Sequence, residues 1–370
     1  MNLYDGYNSF LFICTIFFII HSQIITASLS SQLMEKEIVV SGIRPTGNLH
    51  LGNYFGAMQN YVKMQDNFNC YFFIADWHSL TTHPDTKLLN AQVKQAVAEN
   101  IAAGLHPEKA AIYLQSAIPE IAELYLYLAT LTYKGELEKT TTFKDKARSQ
   151  PDNINAGLLT YPVLMAADIL IHRARKVPVG KDQEQHLEMA RNLSERFNYR
   201  YGEFFPLPEA YNFGESLIKI MSLDGNGKMS KSENQLATIY LSDEDDAIRK
   251  KIMKAKTDSG PVTENSEKPA YIENLFTLMK LVSSQDIYDT FENNFQHCQI
   301  RYGDMKKQLA EDMIAFIAPI RKKANDIRED DNYLSKILRE GAEKARASAA
   351  YTIHEVRSKI GLEYFSTTKL

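Results

Sequence analysis

The chain has 370 residues but only three cysteines, Cys14, Cys70 and Cys298, widely separated and with no CxxC pair. A disulfide framework or a structural zinc or iron–sulfur site is therefore not expected, and a reducing compartment is the natural setting. Charge of one sign is also in short supply: 42 Lys and Arg stand against 46 Asp and Glu, a net charge of -4. No bulk basic field invites nucleic acid, so any basic surface has to be local. Tryptophan occurs once, as Trp77, and the sequence assigns it no role. Internal repeats and low-complexity linkers are absent.

Positive charge is missing from the start of the chain, where no Lys or Arg precedes Lys36. The apolar run from Phe10 to Ile20 has signal-peptide length and Thr26-Ala27-Ser28 resembles a cleavage site, yet secretory and mitochondrial leaders both want basic residues. The run is also short for a membrane span. Residues 1–33 are read as either a dispensable or mis-assigned extension or a targeting segment, ahead of a domain opening at Met34 with MEKEIVVSG. No membrane partner is expected for that domain.

What is present is globular in kind, with 44% hydrophobic and 24% charged residues in a chain long enough for two domains. EIVVS (37–41), CYFFIAD (70–76) and AAIYLQS (110–116) read as strands. Helical patterns lie between them, through Tyr54, Ala57, Met58, Tyr61 and Val62 and again through LLNAQVKQAVAENIAAGL. IAELYLYLATLTYKGELEK follows as one more helix. This alternation predicts an α/β fold, a Rossmann-like, doubly wound parallel sheet whose ligands bind beyond the carboxyl ends of the strands. KDKARSQPDNINAGLLTYP reads as irregular, PVLMAADILIHR as a buried helix, VPVG as a short strand, and 183–197 as a helix begun by a capping box of Asp182 and Gln185. Beyond about residue 236 the pattern is helical. The expected division is a catalytic domain over 34–235, with an insertion near 115–165, and an α-helical domain over 236–370.

Two stretches carry chemistry. In SGIRPTGNLHLGNY (41–54), joining the first strand to its helix, the glycines do not form G-x-G-x-x-G, and Asn48 stands where a Walker A lysine belongs. Gly52 and Asn53 at the helix start still favour an anionic group, and His50 can donate to a phosphate oxygen. A plain βα turn with a surface histidine reads the same residues as well. In GNGKMSKSEN (225–234), Lys228 and Lys231 can reach one polyphosphate from two sides, with Gly225 and Gly227 as the hinge of a mobile clamp. A solvated turn is the bland alternative.

Taken together, HLGN (50–53) resembles the HIGH signature and KMSKS (228–232) matches the second signature of class I aminoacyl-tRNA synthetases. Within that class, SGIRPTGNLHLGNYFGA, GLLTYP (157–162), MAADILIHRARKVPVGKDQEQHLEMARNLSERFN (165–198) and TDSG (257–260) resemble tryptophanyl-tRNA synthetases. The likeness runs from about residue 36 to the C-terminus, with Asn53 replacing the signature's second histidine. It implies ATP-dependent joining of tryptophan to tRNA(Trp), with Mg²⁺ accompanying ATP and no dedicated metal site on the protein. It also implies a cytoplasmic homodimer whose interface lies near 115–165 and whose helical part reads tRNA, with RKKIMKAK (249–256) and RKK (321–323) as phosphate contacts or solvated faces.

The resemblance assigns His50, Asn53, Lys228 and Lys231 to catalysis. It places Arg44, Pro45 and Thr46 by the triphosphate with Gly52, Met229, Ser230 and Ser232, puts Gly180, Lys181 and Asp182 by the ribose, and sets Ile220 near the adenine. Asp168, a carboxylate inside an apolar segment, needs a donor, and an indole N–H is a donor that accepts nothing; pairing with Arg173 or Arg175 would satisfy it equally. Met165, Val177, Val179, Val40 and Gly42 would wall the indole, Tyr161 and Gln183 would hold the α-ammonium, and His78 is expected nearby. A tyrosyl enzyme and a nucleotide-binding regulator that has lost ligation both remain open.

Overall fold

The computed structural model describes residues 36–45, 47–81, 85–149, 151–180, 183–211, 218–230 and 234–364. The extension 1–33 and the site candidates Thr46, Lys181, Asp182, Lys231 and Ser232 lie outside the described residues. Residues Ile38–Leu370 group as one compact unit.

Five parallel strands form one sheet in the order β3-β2-β1-β4-β5, with β1 at Ile38–Ile43, β2 at Asn69–Ile74, β3 at Ala110–Leu114, β4 at Lys176–Val177 and β5 at Glu209–Ala210. Apolar runs such as CYFFI are covered on both faces, as parallel strands require. From β1 the chain builds outward through β2 to β3 and then returns to add β4 and β5 on the other side. The strand order therefore reverses between β1 and β4, where open sheets of this kind leave a crevice.

The helices are α1 (Leu51–Asn53), a π-helical turn (Tyr54–Met58) and α2 (Gln59–Asn67) after β1. Then come α3 (Asp76–Leu80) and α4 (Thr86–Ala102) after β2, and α5 (Pro119–Thr130), α6 (Lys134–Lys139), α7 (Thr141–Ser149) and α8 (Ala156–Leu170) after β3. The helix α9 (Glu184–Tyr201) follows β4, and α10 (Asp245–Met253), α11 (Ala270–Val282), α12 (Gln285–Gln296), α13 (Tyr302–Glu329) and α14 (Asp331–Ile360) complete the chain. No helix among the described residues is long and apolar enough to cross a membrane.

Two local expectations need correction. The helix expected over IAELYLYLATLTYKGELEK breaks after Thr130, where the Thr130 and Thr132 hydroxyls donate to the Tyr127 and Leu128 carbonyls at 2.7 and 2.9 Å and close the helix end. The stretch read as irregular up to Pro162 is largely helical: α7 occupies its first part, and α8 begins at Ala156 behind the N-cap Asn155, whose Oδ1 accepts from Leu158 N–H at 2.9 Å. Pro162 sits inside α8, its cost in a helix interior offset by burial of most of the helix. The capping box expected on α9 involves Asp182 and so lies outside the described residues, while the Gln185 side-chain oxygen accepts from the backbone and hydroxyl of Thr141.

The late helices pack onto the sheet. Gly341, Ala345 and Ala349 form a small-residue face on α14, and Gly341 lies directly against the backbone of Ile112 in β3.

Candidate functional site

At the reversal between β1 and β4 lies a cavity of about 300 Å³. The end of β1 supplies Val40, Gly42 and Arg44, and α3 supplies His78. Tyr161, Met165 and Asp168 line it from α8, while Val177, Val179, Gly180 and Gln183 come from β4 and the turn after it. Every residue expected around the amino acid thus lines one space.

Asp168 is fully buried, yet neither Arg173 nor Arg175 pairs with it among the described contacts. Its Oδ2 meets His78 Nε2 at 2.8 Å, and Gln115 Nε2 donates to both carboxylate oxygens at 2.8 and 3.0 Å. Burial raises the Asp168 pKa above the usual carboxylate range, opposed by the bonds from His78 and Gln115. Arg173 instead lies over the rings of Phe204 and Tyr351.

Across the cavity, the Tyr161 hydroxyl bonds His186 Nε2 at 2.6 Å, and His186 Nδ1 bonds Gln183 Oε1 at 3.1 Å. Lys146, from α7, sits 4.6 Å from the Tyr161 ring centroid. Its ammonium is held below the usual lysine value by burial and by the charge of Arg44. Arg44 is exposed and Pro45 buried. Two cations, Lys146 and Arg44, therefore act on the tyrosine.

The two signatures meet at the start of α1. His50 is the N-cap of α1: its Nδ1 accepts from Asn53 N–H at 3.3 Å while Asn53 Oδ1 accepts from His50 N–H at 3.4 Å. With Nδ1 accepting, the ring proton belongs on Nε2, a donor tautomer. A methyl group placed on Gly52 would lie 3.0 Å from the His50 ring and 3.5 Å from the Met229 carbonyl oxygen. Glycine thus lets the backbone of the second signature lie against the first.

Lys228 is exposed and pairs as a β-bridge with Met221, and Met229 N–H donates to Ile220 O at 3.0 Å. The Ile220 and Met229 side chains are buried with Leu51 and Phe55 in the core. Gly225 and Gly227 both take positive φ, +76° and +68°, in a turn where Asp224 accepts from Asn226 N–H and from Asn234. The base of this strip is a bonded hairpin, and it continues into Ser230, whose carbonyl accepts from the Thr238 hydroxyl at 3.0 Å.

Sequence reasoning missed Gln115, His186, Lys146 and Glu99, whose Oε2 accepts from Leu49 N–H at 2.7 Å. For Gln115 a signal existed: it follows the carboxyl end of β3 directly, where this architecture places ligand-facing groups.

A parallel sheet that reverses beside its cavity, with HLGN opening the first helix and Met229 of the second signature packed against it, defines a class I aminoacyl-tRNA synthetase fold. The family model described as tRNA synthetases class I (W and Y) matches residues 33–318, and the chain belongs to that family. The chain is 58% identical to the tryptophan–tRNA ligase of Porphyromonas gingivalis, over 88% of this chain and 99% of that protein. It is 40% identical to the tryptophan–tRNA ligase of Clostridium tetani, over 88% and 96%. A crystal structure of tryptophanyl-tRNA synthetase from Campylobacter jejuni, complexed with ADP and tryptophan, superposes with a TM-score of 0.79 at 36% identity, covering 88% of this chain and 99% of that one.

Proposed function

We propose that this chain is a tryptophan–tRNA ligase that activates L-tryptophan with ATP and transfers it to tRNA(Trp). The observation that carries the reading is the buried Asp168 carboxylate at one wall of a cavity that Val40, Met165, Val177 and Val179 also line. An indole fills such a cavity, and its N–H gives the carboxylate a partner. A site built around a hydrogen bond rejects ligands lacking the group, so selectivity needs no editing.

In the first step a tryptophan carboxylate oxygen attacks the α-phosphorus of ATP. The P–O bond of the adenylate forms, the α–β bridging bond breaks, and pyrophosphate leaves. In the second step a terminal ribose hydroxyl of tRNA attacks the acyl carbon and AMP departs. No side-chain nucleophile takes part; catalysis is positioning and charge stabilisation. In this reading His50 and Asn53 address the phosphates from the first signature, and Lys228 and Lys231 grip the leaving pyrophosphate. Arg44, Pro45, Thr46, Gly52, Met229, Ser230 and Ser232 surround the triphosphate, while Gly180, Lys181, Asp182 and the backbone near Ile220 receive the nucleoside. Tyr161 and Gln183 hold the α-ammonium. Among the described residues no group of three or more His, Cys, Asp or Glu is placed to hold a metal. In this reading Mg²⁺ accompanies ATP, and no step is routed through it.

A homodimer joined near 115–165 is supported by Leu126, Tyr133 and Ile154, which expose 60%, 67% and 53% of their surface in that segment. The helices after residue 236 are read as the tRNA-binding part. There Arg249, Lys251 and Arg321 are engaged by Glu311, Asp243 and Asp245, whereas Lys250, Lys254, Lys322 and Lys323 are exposed and better placed for phosphates. Cytoplasmic residence follows the kinship with bacterial enzymes.

Tryptophan-dependent exchange of pyrophosphate into ATP tests the reading, and exchange driven by tyrosine but not tryptophan refutes it. Protein that binds ATP and tryptophan yet charges no tRNA would instead be a regulator. Lys231→Ala should slow adenylate formation while tryptophan binding survives; an unchanged rate removes that lysine from the mechanism.

A further inference from the structure

Gln115 is the first residue after β3, opening a single 3₁₀ turn, and it is fully buried. Its Oε1 accepts from the backbone N–H of His78 at 3.3 Å. That bond fixes the amide orientation without reference to the carboxylate, because only the oxygen can accept from an N–H. The amide nitrogen must then face Asp168, where it reaches both oxygens. His78 Nε2 adds a further contact to Oδ2. The same His78 thus supplies the backbone donor that orients Gln115 and the ring that meets Asp168.

We propose that Gln115 is a positioning residue that determines which aromatic ring the cavity accepts, by holding Asp168 as an acceptor-only carboxylate toward a ring N–H. The proposal rests on the assignment of Asp168 to the indole given above. A protonated Asp168 would have to place its hydrogen on an oxygen that Gln115 already addresses with a donor, so the amide opposes protonation. Burial works the other way, disfavouring the charge.

The other titratable groups around Asp168 are few. His78 comes from α3, and Asp76 at the start of that helix adds like charge, although its carboxylate is engaged by Trp77 N–H and by the Ser116 backbone and hydroxyl. Tyr113 faces it from β3, its hydroxyl bonded to His172 at 2.9 Å, and Tyr161 lines the cavity from the same helix as Asp168. None of these offers Asp168 a second amide. Removing the Gln115 amide leaves the carboxylate with the His78 ring alone among its described partners, free to turn and easier to protonate.

A purely structural role is the competing account, since Gln115 also ties the end of β3 to α3 and α8. That role predicts lower stability with unchanged ring preference and pH profile. The deciding experiment compares wild type with Gln115→Leu in ATP–pyrophosphate exchange from pH 5.5 to 8.5. The amino acids are tryptophan and its benzothiophene analogue, which has the same shape with sulfur in place of the ring N–H. KM for tryptophan should rise about 10- to 100-fold, with kcat and KM for ATP within about threefold of wild type. The acid limb of kcat/KM for tryptophan should move up by about one pH unit, and the preference for tryptophan over the analogue should fall about tenfold.

Equal losses for both amino acids with an unmoved acid limb overturn the proposal, as does an unchanged KM for tryptophan. Should the leucine variant fail to fold, Gln115→Glu keeps the shape and the Oε1 acceptor but donates only when protonated. Its preference for tryptophan should then improve as the pH falls from 8.5 to 6.5, and a pH-independent preference overturns the proposal as well. Wild type that uses tyrosine instead of tryptophan defeats the functional reading itself, so the two failures are distinguishable.

Discussion

Substituting alanine for Gly341 is expected to damage the protein well beyond what a single methyl suggests. The added carbon would lie 2.0 Å from the carbonyl oxygen of Ile112, 2.7 Å from its carbonyl carbon and 3.0 Å from its nitrogen, where ordinary contact begins at 3.4 Å. More than an ångström of overlap must be relieved. The obstructing atoms are backbone, and Ile112 is locked in register opposite Phe72 of β2, so no rotamer change can help. Alanine gains about 1 kcal/mol of helix propensity over glycine, while overpacking a tight site costs about 1–3 kcal/mol and occasionally more. With backbone on the receiving side the upper end applies, for a net loss of about 2–3 kcal/mol and, in a unit of this size, a fall in melting temperature of about 3–4 °C. Gly303→Ala is the internal control, because it lies in α13 with nothing within 4 Å of the added carbon. It should be neutral or stabilising by up to about 1 kcal/mol. Thermal melts of both variants decide the matter: Gly341→Ala melting with wild type would show that α14 does not rest on β3 as described.

His172 is buried and neutral, bonded to Tyr113 and Ser348 and stacked on Tyr71, with its pKa lowered by burial to about 3. The unfolded imidazole takes up a proton near its ordinary value of about 6.5 and the folded one does not, so acid favours the unfolded state across that window. Wild type should lose up to about 1.4 kcal/mol per pH unit through this residue below about pH 6. In urea unfolding, His172→Gln should be less stable at pH 7.5 yet show a shallower acid slope, and parallel slopes would remove the histidine from the acid response. Asp168→Asn should lower kcat/KM for tryptophan in pyrophosphate exchange by roughly 10²- to 10⁴-fold. Because the folded carboxylate's pKa is raised, its ionisation at neutral pH costs the fold stability, so the same variant should melt at or above wild type. A large drop in melting temperature at pH 7.5 would contradict that sign.

The legible parts of this protein were those where one residue type serves one physical need. Alternating periods marked β1 to β3 because apolar runs buried on both faces have few other uses, and HLGN and KMSKS stood out by spacing and order. Asp168 was legible as a polar residue in an apolar segment. Its partners were not, because Gln115 and His78 reach it only after β2 and β3 align, and arginines close in sequence were the nearer guess. The break after Thr130 was hidden because its stop signals are two threonine hydroxyls in an otherwise helical pattern. β5 was invisible because its two residues are exposed and carry no apolar signal.

The first signature loop is held from two directions, and both lead to α13. On one side Leu51 N–H donates to Ile239 O, Leu241 N–H donates to Leu49 O, and Asn48 bonds Ser242. Asp243, next in the chain, receives Lys251, and its carbonyl receives Arg321 of α13. On the other side Arg328 of the same helix donates to Gln95 Oε1, Gln95 donates to Glu99, and Glu99 accepts from Leu49 N–H. Arg321 and Arg328 stand two helical turns apart, so they lie on one face of a single stiff element. A helix that supplies no residue to the cavity lining, but shares a core with Leu51 and Met229 of the signatures, thus fixes the backbone on which His50 is mounted. Loop position here depends on α13 more than on the glycines within the loop, since a loop bonded on both sides cannot shift unless one set of bonds is broken.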